Sequence, residues 1–355
     1  MGWKSREGNV DFMMQQSNRG KRGVGLDLAT PGGHDLLCRL AERSDVFVTS
    51  FLPAARRRLR IDVDDLRAVN PALVYVRGSG QGPQGPDGEK GGYDATAFWS
   101  RGGVGQALTP AAADEPVMQR PAFGDSIGAL ALAGGVAAAL LRRERTGTPS
   151  VVDASLLNTA MWVLAPDIVA SRLVDPARWM PPYRRASHFN PVTNAYRTKD
   201  GRWIMLVLLQ ASRYWADFCR HIDRPGLIDD PRFATDAARA ENREACIAEL
   251  DRAFAARTLE EWRARLATME GPWAPMQTPH EIFDDAQAIA NGYLAEVDGG
   301  DKGRFQLVTS PVQFDERVPQ LRPSPEMGQH TEEVLLEVGL SWEDILALKE
   351  NGAIV

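Results

Sequence analysis

The feature that most restricts the fold is an alternation of strand-like and helix-like segments in the first eighty residues. Val24-Gly25-Leu26-Asp27-Leu28, Val46-Phe47-Val48 and Leu73-Val74-Tyr75-Val76 are short apolar runs rich in β-branched residues. Between the first two, Thr30-Pro31 offers a cap and a first-turn proline for a helix carrying Leu36, Leu37 and Leu40 on one face. A second helical pattern covers residues 62–69. Strands alternating with helices build a parallel sheet with crossover helices, so this half of the chain is expected to be a Rossmann-like α/β domain.

The 355 residues suffice for two domains. The texture changes near Asn194, where Asp200-Gly201 separates two strand-like runs, a hairpin signal, and helices dominate afterwards. Thr258-Leu259-Glu260-Glu261 and Thr278-Pro279-His280-Glu281 each fit a capping box and mark helix starts. Strand-like pattern returns around Asn291-Gly292, and residues 331–348 read as one amphipathic helix. The expected division is a large Rossmann-like domain from residues 1–185, a smaller α+β domain from 186–292, and a segment from 293–355 returning to the large domain. Residues 127–141, the most apolar run, are interrupted by Gly128, Gly134 and Gly135 and fall short of the ~20 residues needed to cross a bilayer. They are expected to form a buried helix, and the polar start of the chain carries no secretory pattern.

Charge and cysteine content exclude some classes of function. The 41 basic against 47 acidic residues give a net charge of −6, which argues against affinity for nucleic acid through phosphate neutralisation. Cys38, Cys219 and Cys246 are far apart and lack metal-ligand spacing, so they read as reduced, buried thiols of a cytoplasmic protein. The five histidines form no metal spacing and no pairing with a nucleophile, and structural or surface roles are expected for them.

Three segments could carry chemistry. Gly78-Ser79-Gly80-Gln81-Gly82-Pro83-Gln84-Gly85-Pro86 follows the third strand, at the sheet edge where α/β folds hold ligands; Pro83 and Pro86 disfavour the helix that a dinucleotide fingerprint requires. Arg56-Arg57-Arg58-Leu59-Arg60, close after Phe51, reads equally as a solvated face or as a site for a phosphorylated nucleotide. Phe123-Gly124-Asp125-Ser126-Ile127-Gly128 opens the small-residue helix. There Asp125 reads either as a helix cap or as a nucleophilic carboxylate beside space left by Gly124 and Gly128, and position alone leaves both open.

Several motifs occur together in order: Asn18-Arg19-Gly20-Lys21-Arg22-Gly23-Val24-Gly25-Leu26-Asp27-Leu28, Gly92-Tyr93-Asp94, Phe123-Gly124-Asp125, Val152-Asp153-Ala154-Ser155-Leu156-Leu157, Asp230-Pro231-Arg232-Phe233 and Gly328-Gln329-His330-Thr331-Glu332-Glu333. On these the chain resembles the class III CoA-transferases, the group of formyl-CoA and carnitine CoA-transferases that includes the α-methylacyl-CoA racemases. The resemblance implies an interlocked homodimer that uses acyl-CoA and a carboxylic acid as substrates, with no metal and no permanently bound cofactor. It implies that Asp125 is the nucleophile that forms covalent acyl and CoA intermediates. By the same resemblance, Ser50, Phe51, Arg58, Leu59, Lys90 and Tyr93 line the CoA site, Ser50 standing where the family has asparagine and Lys90 one place further from the tyrosine than the family lysine.

Tyr93 separates readings within the group. Racemases pair the aspartate with a histidine in Gly-His-Asp, and a phenol with an unperturbed pKa near 10 is a poor α-proton base, so transferase is favoured over racemase or epimerase. Members of the group begin with a βαβ unit before the segment that Trp3 matches, whereas this sequence starts there. Two readings follow: a start assigned late, or a shortened, catalytically impaired paralogue that dimerises or binds CoA.

Overall fold

The computed structural model describes residues 10–110, 112–175 and 185–355. Trp3 lies outside these residues. The chain forms two compact units, one from residues 1–180 with 295–355 and one from residues 181–294.

In the first unit, α1 (Phe12–Asn18) is followed by α2 (Pro31–Glu42), which starts as its sequence dictates: the Thr30 hydroxyl accepts from the Gly33 N–H at 3.1 Å and Pro31 occupies the first turn. Then come β1 (Val46–Thr49), α3 (Pro53–Leu59), α4 (Val63–Val69) and β2 (Val74–Ser79). An Asp62–Asp65 capping box starts α4. Beyond a π-helix at Asp94–Arg101 and α5 (Val104–Leu108), the long α6 (Phe123–Thr146) leads into β3 (Val151–Ser155), α7 (Leu156–Val163) and α8 (Ala165–Leu173). The three strands form a parallel sheet in the order β1-β2-β3, with Val46 opposite Val74 and Arg77 opposite Asp153.

Alternation along the strands gives the sheet two faces. Val46, Val74, Val76 and Val152 pack on one face against Leu132, Val136, Ala139 and Leu140 of α6. Phe47, Tyr75 and Val151 face the other way, onto Ala41 of α2 and Val63, Leu66 and Val69 of α4. There the buried Tyr75 hydroxyl donates to the Ile61 carbonyl at 2.6 Å.

Three expectations are corrected. Val24-Gly25-Leu26-Asp27-Leu28 is not a strand of the sheet: among the described residues its β contact is a single antiparallel bridge from Leu26 to Ile354, and the Asp27 N–H donates to the Ala353 carbonyl at 2.9 Å, so its backbone is turned to the C-terminal residues. The run at 127–141 belongs to a 24-residue helix, long and apolar enough by length and composition to cross a membrane. One face of it packs on the sheet, whereas Leu130 (52% exposed) and Leu141 (51%) lie uncovered, so it is not a buried helix. The tail breaks into Thr331–Glu337 and Trp342–Glu350, because Gly339 takes φ +94° and Ser341 caps a new helix.

In the second unit, β4 (Ala195–Arg197), β5 (Trp203–Leu206) and β6 (Trp273–Pro275) form an antiparallel sheet, with Gly201 at φ +78° turning the β4–β5 hairpin. Ile204, Leu206, Phe218, Phe254 and Trp262 fill its core. The Thr258–Glu261 capping box opens the helix Leu259–Leu266. Thr278 and Glu281 exchange the expected reciprocal bonds, yet the element they open is one 3₁₀ turn, Glu281–Asp284. Cys219 and Cys246 are buried, and burial pushes both thiols up to about 12; Cys38 is only partly buried.

Candidate active site

A cavity of about 490 Å³ opens over the carboxyl ends of β2 and β3, within the size range of small-molecule sites. The sheet alternation divides its wall into two halves. Arg77, Ser79, Asp153 and Ser155 continue the Tyr75 face, and Ser50, Phe51, Pro53 and Arg56 adjoin them. Gly78 and Ala154 continue the Val76 face. They meet Asp125, Gly128, Ala129 and Leu132, which at spacings of three, four and seven form one stripe of α6.

Asp125 stands in the first turn of α6, where the helix dipole favours negative charge. Its carboxylate accepts no hydrogen bond among the described residues. Loss of hydration raises its pKa, and the neighbouring Asp94 charge adds to this. The cap is a different residue: the buried Asp94 takes the Gly124 N–H on both carboxylate oxygens at 3.1 Å. Cap and unbonded carboxylate are therefore divided between two aspartates among the described residues.

The space beside Gly124 is not open, contrary to expectation. A side-chain carbon there would lie 2.3 Å from the Phe98 ring and 2.4 Å from the Asp94 carboxylate, because the π-helix packs directly on the start of α6. One turn on, a carbon at Gly128 would make ordinary contact with Leu156 at 3.5 Å.

Of the residues singled out from sequence, Ser50, Phe51, Lys90, Tyr93 and Asp125 line this cavity, and Arg58 and Leu59 do not. The turn of α3 explains the difference: Arg56 points inward, its guanidinium donating to the Phe51 carbonyl at 2.8 Å and to Asp62 at 3.3 Å, while Arg58 is exposed. Arg77 had no assigned role in the sequence, Asp153 entered only within a motif and Arg56 only within the basic cluster, where helical phase could have set it apart from Arg58. Arg77 and Asp153 are joined by two bonds of 2.6 and 2.8 Å, an arrangement visible only once β2 and β3 are in register.

The glycine-proline loop crosses the cavity mouth. Gly80 and Gly92 bring its ends together so closely that a side-chain carbon on Gly80 would lie 2.5 Å from the Gly92 Cα. Exposed ion pairs pin the span between them: Asp87 with Arg101 and Lys90, each at 2.7 Å, and Glu89 with Arg57 at 3.0 Å. Gly80→Ala is expected to pry the ends apart, and limited trypsin digestion should then cut at Lys90 several-fold faster than in wild type.

Among the described residues no group of His, Cys, Asp or Glu is arranged to hold a metal ion. His34 contacts the Arg60 carbonyl, and His330 accepts from the Gly23 N–H at 3.2 Å.

A cavity at the carboxyl edge of a parallel sheet, with a carboxylate at a helix start in its wall, defines an α/β protein with its ligand site where such folds place one. Residues 2–331 match the sequence profile of CoA-transferase family III, and the chain belongs to that family. It is 32% identical over 342 residues to the (R)-2-hydroxy-4-methylpentanoate CoA-transferase of Clostridioides difficile, covering 96% of this chain and 84% of that one. The formyl-CoA:oxalate CoA-transferase of Streptomyces avermitilis is 29% identical over 368 residues, covering 95% and 85%. Among solved structures, a CAIB/BAIF family protein from Brucella suis superposes with a TM-score of 0.76 at 26% identity, over 92% of this chain and 83% of that one.

Proposed function

We propose that the protein transfers coenzyme A between an acyl-CoA and a free carboxylic acid through covalent intermediates on Asp125. The observation that carries this reading is the Asp125 carboxylate, free of hydrogen bonds among the described residues and held at the helix start in the cavity wall. Its oxygen attacks the thioester carbonyl; the C–S bond breaks and leaves a mixed anhydride and CoA thiolate. The thiolate attacks the aspartyl carbonyl, releasing the donor acid and leaving an aspartyl-CoA thioester. The acceptor carboxylate then attacks this thioester to give a new anhydride, and returning thiolate yields the new acyl-CoA and free Asp125. Every step exchanges carboxylate and thiolate partners.

Loss of part of its hydration and the neighbouring Asp94 charge raise the Asp125 pKa, which makes the carboxylate more basic, while the start of the helix favours its negative charge. Ser50, Phe51, Lys90 and Tyr93 are proposed to meet the CoA, with Arg58 and Leu59 toward its nucleotide from outside the cavity wall. A racemase needs a second base at the α-carbon, and here Tyr93 presents a phenol while both oxygens of Asp94 are engaged by the Gly124 N–H. Incubation with an acyl-CoA and hydroxylamine tests the proposal: trapping of the acyl-aspartate should inactivate the wild-type protein, and indifference to hydroxylamine would refute it.

The active form is proposed to be an interlocked homodimer. Leu130 and Leu141 of α6, Trp162 of α7 (81% exposed) and Leu173 of α8 (78%) are large apolar side chains left uncovered on three successive helices, as at an interface. Light scattering after size exclusion should give twice the 39.0 kDa chain mass, and a monomer at micromolar concentration would contradict this. A cytoplasmic location is proposed on the three free thiols.

A further inference from the structure

The two halves of the cavity differ in a way that selects the acyl group. On the α6 half the wall is Gly78, Ala154, Gly128, Ala129 and Leu132, with Leu156 and Thr159 behind them; the Thr159 hydroxyl donates to the Ser155 carbonyl at 2.8 Å, and the single charge is Asp125 itself. The cations that line the cavity are Arg56, Arg77 and Lys90, and each already has an acidic partner: Asp62 at 3.3 Å, Asp153 at 2.6 Å and Asp87 at 2.7 Å. Arg56 and Arg77 belong to the opposite half, because Arg77 alternates with Gly78 along β2. Lys90 stands on the exposed loop at the mouth, its side chain 71% exposed.

An acyl group bonded to Asp125 extends from the α6 stripe and therefore along small apolar side chains. A second carboxylate on that group would lose water there and gain no cation, besides facing the Asp125 charge whenever the thioester is intact. We propose that the α6 half of the cavity is an acyl subsite for uncharged chains, small branched aliphatic or aryl monocarboxylates, and that it discriminates against dicarboxylates. This rests on the transferase reading in placing the acyl group on Asp125, and it names the substrate class that reading leaves open. The glycine at 128 sets the width of the subsite: a side-chain carbon there would reach 3.5 Å from Leu156, so a branched residue would fill the space an acyl branch needs.

The probes are 4-methylpentanoyl-CoA and succinyl-CoA, which match in shape, an isopropyl group replacing a carboxylate. Binding is measured by calorimetry on the full chain carrying Asp125→Asn, which cannot turn either over by the proposed route. The 4-methylpentanoyl thioester should bind roughly 30-fold more tightly, and equal or tighter binding of the succinyl thioester would overturn the proposal. Gly128→Val in the same background should cost 4-methylpentanoyl-CoA about tenfold and leave acetyl-CoA within about twofold. Equal losses for both would place the acyl chain elsewhere. Exchange of labelled 4-methylpentanoate into its CoA thioester by the wild-type protein separates the two readings. Selective binding with no exchange would sink the transferase mechanism and keep the acyl class; exchange of succinate as fast as 4-methylpentanoate would sink the acyl class and keep the mechanism.

Discussion

Asp125→Ala should lower CoA transfer by at least about a thousandfold and abolish the hydroxylamine-sensitive intermediate, because without the carboxylate no covalent step remains. The same protein should be more stable than wild type at neutral pH. Desolvation and the Asp94 charge raise the Asp125 pKa in the folded state, so its ionised form opposes folding at any pH above that raised value. As pH falls below the raised folded pKa toward the ordinary carboxylate range, the carboxyl protonates in the folded state, the penalty shrinks, and the melting temperatures of wild type and variant should converge. Thermal melts between pH 8 and pH 4 check this, and a variant less stable than wild type at pH 7 would contradict it. A residue that weakens the fold and carries the chemistry is the signature of a functional site.

The second large effect concerns Gly124. Gly124→Ala should destabilise the protein by about 3 kcal/mol, since the added carbon would collide with Phe98 and Asp94 and force the π-helix away from α6. One turn along the same helix, Gly128→Ala meets only ordinary contacts and should be neutral or stabilising by up to about 1 kcal/mol through helix propensity. Urea unfolding of the pair decides the matter: equal effects at both positions would mean that helix propensity, not the packing of Phe98, governs Gly124. Because the Asp94 bond to the Gly124 N–H fixes the first turn, Gly124→Ala should also cut activity beyond what its folded fraction explains.

Much of this architecture is legible in the sequence, and the gaps have physical causes. The caps at Thr30, Asp62 and Thr258 lie where local chemistry puts them, because a cap depends on residues at most three apart. Val74-Tyr75-Val76 forms a strand whose apolar run is covered on both faces, and Val46-Phe47 of β1 pack beside it on either face while Val48 stays exposed. Val24-Gly25-Leu26 has similar composition and fails as a sheet strand, since its partner is Ile354, more than three hundred residues away. Asp125 stands out by its place at a helix start. The division of labour between Asp94 and Asp125, and the pairing of Arg77 with Asp153, depend on contacts across thirty and seventy-six residues. No local pattern encodes such contacts.

The bridge between Leu26 and Ile354 has a consequence for biogenesis. The smaller unit, residues 181–294, is one uninterrupted stretch that emerges from the ribosome complete. The larger unit is split around it and closes only when Ile354 and the other C-terminal residues reach Leu36, Leu335, Leu340 and Ile345. At ordinary rates of synthesis its first half waits roughly ten seconds or more for those residues, with the apolar face of α2 around Leu36 unsealed. The larger unit therefore commits to its fold only after the smaller one has been made, and nascent chains stalled before Ile354 should be the ones that chaperones hold.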